Sequence, residues 1–312
     1  MKQTATKPRT QRQKDLLEQP EQQGAYVWKV TPEEYHDEKH RHLLSSSSLG
    51  MLFYEPEKYG GWLAGDYHDE PNTAQKFGSA VDTAIFNSKP LSQRLVVAPA
   101  EVLSASGARA GKAWKEFERQ HAGKLILKAG DPLLVKLPAI MRQIREHRAA
   151  CDLLDSEGTY QLAIRWWMNV GGVRTPCKAL FDKLVVKNDK PWCIVDLKTT
   201  RDPSPGEFVK SIHNFDYDRQ AAWYQIAAKE LLGVELPFVW LAVKNEYPFN
   251  VECWQQTADM ALIGRTKIEL ALERLCECRK AKQWRSPTHG SIHNLAPLPW
   301  ALKQLEEWRL EA

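Results

Sequence analysis

Between Thr159 and Thr200 the apolar residues fall into three runs, 159–169, 178–186 and 192–200, rich in β-branched and aromatic side chains. Turn-forming residues part them, Gly171 and Gly172 at the first break and Lys187 to Lys190 at the second, so the pattern predicts three antiparallel strands. A helix over Asp218 to Leu232 follows, stopped by Gly233, which suits the left-handed residue that ends many helices. Residues 237–246 are almost continuously apolar, as in a strand buried on both faces. Apolar positions at Ala261, Ile268, Leu272 and Leu275 mark a helix over about 257–284 that covers one sheet face. Upstream, the pattern predicts a serine-capped helix within Leu44 to Tyr59, stopped by Pro56 and nearby glycines, and a small-residue helix over Phe77 to Phe86. Basic helical faces are expected over 104–128 and 138–150, a short helix around Phe208 to Ile212, and an amphipathic terminal helix carrying Leu298, Trp300 and Trp308. Residues 1–25 are polar and predict a disordered tail. The sum is an α/β fold of one domain: a helical N-terminal part over 26–150, and a mixed central sheet flanked by helices over 151–312.

Three polar residues break the strand pattern: Asp182 in the second run, Asp196 and Lys198 in the third. Alternation puts Asp196 and Lys198 on one side of their strand and Val195 and Leu197 in the core. Two carboxylates brought together repel unless a cation joins them, and hard-oxygen ligands at roughly 2.0–2.6 Å suit a divalent ion. Carboxylates that fix a metal, a metal that acidifies water and an ammonium beside them make a layout for phosphodiester hydrolysis. Register bears on this. A plain two-residue turn at Asn188 and Asp189 pairs Lys187 with Lys190 and sets Asp182 against Val195, on the wrong face. A three-residue loop, Asn188 to Lys190, or a bulge is therefore expected, with Asp182 across from Asp196 and Pro191 opening its strand.

The ordered set resembles the PD-(D/E)XK nuclease superfamily in its RecB-like branch. Asp182, followed fourteen residues later by Asp196-Leu197-Lys198-Thr199-Thr200, is similar to the D…DxKTT signature, and Gln220 with Tyr224 to the downstream QxxxY. Within that branch the chain most resembles RecE-type exonucleases over about 44–302. A serine-rich turn, a Pro56-to-Tyr59 step and Gly111-Lys112 ahead of an amphipathic helix carry this further likeness. The resemblance implies a restriction-endonuclease-like core. It implies Asp182, Asp196, Lys198, Gln220 and Tyr224 as catalytic residues, with Asp82, Asp182, Asp196 and the Leu197 carbonyl as ligands of Mg²⁺, or Mn²⁺ in its place. Two departures stand out. Asp82 occupies the place of a metal-binding histidine in GxAxH, and Gln161 that of a glutamate ligand, so a second metal site is expected to be weakened.

The same resemblance implies an exonuclease that digests linear double-stranded DNA from 5′ ends and acts as a ring-like trimer or tetramer. It also implies a single-strand annealing partner and a phage or prophage protein working in the bacterial cytoplasm. Alternatives are a structure-specific or CRISPR-adaptation-type endonuclease and a non-catalytic DNA-binding relative.

A net charge of +4 over 312 residues permits a nucleic-acid partner without requiring one. Arg109, Lys112 and Lys115 are the candidates for neutralising a phosphate backbone. No apolar run suits a membrane span. Six cysteines lack any disulfide framework, and Cys276 with Cys278 lacks the spacing of a cluster site. His36 and His40, an i, i+4 pair on an expected helical turn, with His42 suggest zinc only weakly, without an HExxH motif or a companion cysteine.

Overall fold

The computed structural model describes residues 24–68, 72–86, 91–286, 288–297, 301–304 and 309. The polar tail up to residue 23, and Leu298, Trp300 and Trp308, lie outside them. Strand β1 (Tyr26–Val27) is followed by helices α1 (Pro32–His36), α2 (Ser46–Tyr54), α3 (Pro56–Ala64) and α4 (Thr73–Ile85). Next come the short α5 (Leu91–Arg94), β2 (Leu95–Ala98), α6 (Gly111–Gln120), β3 (Leu125–Lys128), α7 (Leu133–Glu146) and α8 (Arg148–Asp155). The meander β4 (Gly158–Val170), β5 (Val173–Lys187) and β6 (Lys190–Thr200) leads to α9 (Pro205–Asn214), α10 (Tyr217–Leu232), β7 (Phe238–Lys244), β8 (Val251–Gln255) and α11 (Ala258–Ala281).

The main sheet has the order β1-β4-β5-β6-β7-β8, antiparallel throughout except for the parallel pair β6 and β7. Helices cover both faces. Trp166, Phe181, Trp223, Phe238 and Trp240 lie in one core with residues of α2, α10 and α11. Val81, Ile140, Ile144, Val195, Leu197 and Leu241 form the other, against α4, α7 and α8. Burying each large aromatic contributes roughly 2–3 kcal/mol.

The serine-capped helix ends at Tyr54, just ahead of Pro56, as expected. Four expectations need correction. Gly60 and Gly61, beyond Pro56, do not stop a helix but lie inside the next one. Ser45 caps α2 with Ser48, and Pro56 opens α3, whose Gly60 lies so close to Trp284 that an added Cβ would stand 2.5 Å from its ring. The segment after Ser104 is not wholly helical: Leu125–Lys128 pairs in parallel with Leu95–Ala98. The expected helix from Pro138 to Ala150 starts at Leu133 and breaks at His147, whose ring accepts from the Ala150 amide and caps α8. The histidines share no helical turn, because α1 stops before Asp37; His40 is buried edge-on against Trp28.

The central hairpin satisfies both sides of the register argument. Asn188 and Asp189 do form a two-residue turn, left-handed at both positions with φ of 50° and 57°, and Lys187 pairs with Lys190. A bulge then restores the face. Val186 pairs with Pro191 but Val185 with Cys193, so Trp192 is the extra residue, and the ladder continues through Leu184–Ile194 to Lys183–Val195.

Candidate active site

The β5–β6 ladder stops one step short of Asp182 and Asp196, and the site occupies the fork where the two strands part. There the Asp182 carboxylate takes the place of a ladder carbonyl and accepts the Leu197 amide at 2.7 Å. Leu197 thus enters through its N–H, while its side chain joins the α4-side core as alternation requires. Asp196 is buried, and Lys198 Nζ is ion-paired with its Oδ2. Helix α4 brings Asp82, whose two carboxylate oxygens accept from Gln161 Nε2 at 3.3 and 3.0 Å. Gln161, with φ of 49° in β4, is therefore the holder of Asp82.

One face of α10 closes the site. Gln220 Nε2 donates to Tyr224 Oη at 3.0 Å, the one-turn pair that the spacing predicted. Tyr217, missed from the sequence, lies two turns before Tyr224 and puts its ring 4.7 Å from Lys198 Nζ. That spacing was the available signal, but a helix begun at Asp218 leaves Tyr217 outside it.

The charges are unbalanced. Asp182, Asp196 and Asp82 face one ammonium, so full ionisation leaves two negative charges in a largely buried place. Burial first, and then the charge of Asp196, pushes the Asp82 carboxyl up to about 7. Burial, Asp196 and Asp82 raise Asp182 well above the usual carboxylate range, and burial raises Asp196 despite Lys198. Burial opposes the charge of Lys198, but Asp196, Asp182 and Tyr217 outweigh it and raise its pKa. Lys198 is thus held as an ammonium.

The donor set fits a divalent cation in chemistry and charge. All three acidic ligands are hard oxygens, and with Lys198 paired to Asp196 their excess charge equals that of one such ion. The carboxylates do not close into a cage as they stand. Among the described residues no three acidic, histidine or cysteine side chains gather closely enough to hold a metal.

The basic residues proposed for DNA stand beside the small β2–β3 sheet, outside the main sheet. Lys112 and Lys115 are exposed on α6. Arg109 is already engaged, donating to the Ile126 carbonyl at 2.9 Å and lying over the Trp114 ring. Two clefts elsewhere, one with Lys187 and Trp192 and one with Cys276 and Arg279, are lined by no acidic residue.

A mixed sheet between two helical layers, with Asp and Asp-x-Lys meeting where two strands diverge, defines the PD-(D/E)XK class of nuclease fold. Residues 45–291 match the family model described as a PDDEXK-like domain of unknown function (DUF3799). The chain belongs to that family. Members of the class generally use divalent metals. The crystal structure of a candidate exonuclease from Eubacterium rectale superposes with a TM-score of 0.55 at 17% identity, covering 88% of this chain and 98% of that one. At that identity the likeness concerns the fold. The crystal structure of SSO0001 aligns at 13% identity over 64% of this chain and 82% of that one, with a TM-score of 0.30, too low to bear on the fold. No curated protein matches the chain. Among the described residues no helix is long and apolar enough to cross a membrane.

Proposed function

We propose that the chain is a Mg²⁺-dependent deoxyribonuclease, with Mn²⁺ able to replace Mg²⁺, that digests one strand of linear duplex DNA from its 5′ end. The observation that carries hydrolysis is the convergence of Asp82, Asp182 and Asp196 with Lys198 at the strand fork. Exonuclease action rests on the likeness to RecE-type motifs and on the name of the Eubacterium rectale protein. The same likeness supports a ring-like trimer or tetramer that passes single strands to an annealing protein during phage or prophage recombination in the bacterial cytoplasm.

Asp82, Asp182 and Asp196 would hold the cation, with the Leu197 carbonyl as a further donor. Bound there, it would supply water acidified enough to attack a phosphodiester and charge to offset the developing phosphorane. The Leu197 amide fixes one oxygen of Asp182, and Gln161 holds Asp82. Lys198, between Asp196 and the Tyr217 ring, orients or deprotonates the attacking water or meets a non-bridging phosphate oxygen. Gln220 and Tyr224 lock each other's orientation on the adjoining helix face.

The test uses end-labelled linear DNA and closed circular DNA with Mg²⁺, Mn²⁺ or EDTA. Linear DNA should be degraded from its 5′ ends in either metal, circular DNA spared, and EDTA should stop the reaction. Asp196→Ala and Lys198→Ala should each abolish degradation while leaving the far-ultraviolet circular dichroism and DNA affinity near wild type. Cleavage of circles would favour an endonuclease, and near-normal digestion by either variant refutes the site.

A further inference from the structure

Two aromatic rings lie on either side of one strained residue at the edge of the site. Helix α9 ends when the Phe215 amide donates to the Ser211 carbonyl, and α10 begins at Tyr217. Between them Asp216 is left-handed, with φ of 53°, a conformation that residues with a Cβ seldom adopt. Its carboxylate is held from three directions. Lys267 Nζ lies 2.8 Å from Oδ1, Tyr54 Oη donates to the same oxygen at 3.0 Å, and Arg219 Nη2 is 3.3 Å from Oδ2.

The reversal sends the flanking side chains different ways. Tyr217 turns inward, its ring 4.7 Å from Lys198 Nζ. Phe215 turns outward and is 66% exposed, yet its ring stays 5.7 Å from that of Tyr217 at an interplanar angle of 31°. A lone exposed phenylalanine is ordinary. An exposed ring tied through a second ring to the site's ammonium, across a residue clamped in a rare conformation, is a built platform with one face open.

We propose that Phe215 is a nucleobase-stacking platform, taking the base next to the phosphate that Lys198 meets, with Tyr217 as the link that sets its distance from that ammonium. The ligand class is a base of an unpaired or frayed DNA strand, whose π-face stacks on an aromatic side chain whatever its identity. This rests on the nuclease reading for the role of Lys198, but its test does not depend on turnover.

The wild-type chain in EDTA is titrated with duplexes carrying 2-aminopurine at successive positions from each end, following fluorescence and anisotropy. Phe215→Ala, Phe215→Leu and Phe215→Trp are compared. Stacking quenches 2-aminopurine at one position in the wild type and in Phe215→Trp. Phe215→Ala and Phe215→Leu should lose that quench and bind on the order of tenfold more weakly. The side chain is exposed, so these variants should fold normally, which circular dichroism verifies. If Phe215→Ala keeps quench and affinity, or the wild type quenches at no position, the platform is refuted. A wild type that quenches but cleaves nothing in Mg²⁺ or Mn²⁺ refutes the nuclease reading while the platform stands.

Discussion

Replacing Asp82 with asparagine should stabilise the metal-free protein, although it removes a proposed ligand. The asparagine amide keeps an oxygen for Gln161 Nε2 at a site where Asp82 now accepts it at 3.0 Å, so packing and the hydrogen bond survive while the charge disappears. The Asp82 carboxyl is carried from 3.8 to about 7 by burial and by Asp196. At 1.36 kcal/mol per pH unit this is a penalty of about 4 kcal/mol on the ionised form. Partial contact with water trims it to roughly 2–4 kcal/mol. The sign follows from proton counting. Between the unfolded value near 4 and the folded value near 7 the native state binds more protons, so stability falls as pH rises through that window and the full penalty is felt at pH 8. Urea unfolding in EDTA is the assay. At pH 8 the variant's midpoint should exceed that of the wild type by roughly 1 M, taking a slope of about 3 kcal/mol per M, and the gap should shrink towards zero at pH 4. Added Mg²⁺ or Mn²⁺ should raise the wild type more than the variant. A variant no more stable than the wild type at pH 8 would show that Asp82 carries no buried excess charge, and the electrostatic case for a cation would fail with it.

Two further outcomes concern the support behind the site. A Cβ added at Gly264 would stand 2.2 Å from the Asp218 carbonyl, so Gly264→Ala should push α11 off the start of α10 and cost about 1–3 kcal/mol in denaturant unfolding; an unchanged midpoint would contradict the close crossing. Lys267 Nζ contacts both Asp216 and Asp218, each buried, so Lys267→Met should cost roughly 3–5 kcal/mol by leaving carboxylates under-compensated. Its thermal melt should drop accordingly, and a melt like that of the wild type would mean that Arg219 and Tyr54 suffice to hold Asp216.

The chemistry at the fork was legible because strand alternation is short-ranged: Asp182, Asp196 and Lys198 interrupt apolar runs, and their faces follow from counting residues. The one-turn pair of Gln220 and Tyr224 was legible for the same reason. The turn was harder, because the chain offered a good two-residue turn at Asn188 and Asp189 and the same-face requirement pointed to a bulge or a longer loop; only the pairing of Val185 with Cys193 shows where the surplus residue went. Contacts between distant segments left no local trace. Gly60 sits inside α3 because of Trp284, Gly264 inside α11 because of Asp218, and Gln161 holds Asp82 across 79 positions of chain. Nothing periodic marks a two-residue edge strand such as Tyr26–Val27, and the basic residues around Leu125–Lys128 drew attention from a parallel strand.

The surplus residue in β6 also makes the hairpin unequally forgiving of changes in length. Losing Trp192 would let Cys193 follow Pro191 in a regular ladder, with Lys183 still opposite Val195 and the carboxylates beyond them undisturbed. Gaining a residue in the same place finds no such slack and must either widen the bulge or slip every position beyond it. Variants of this chain that keep their chemistry should therefore tolerate shortening near Trp192 more readily than lengthening.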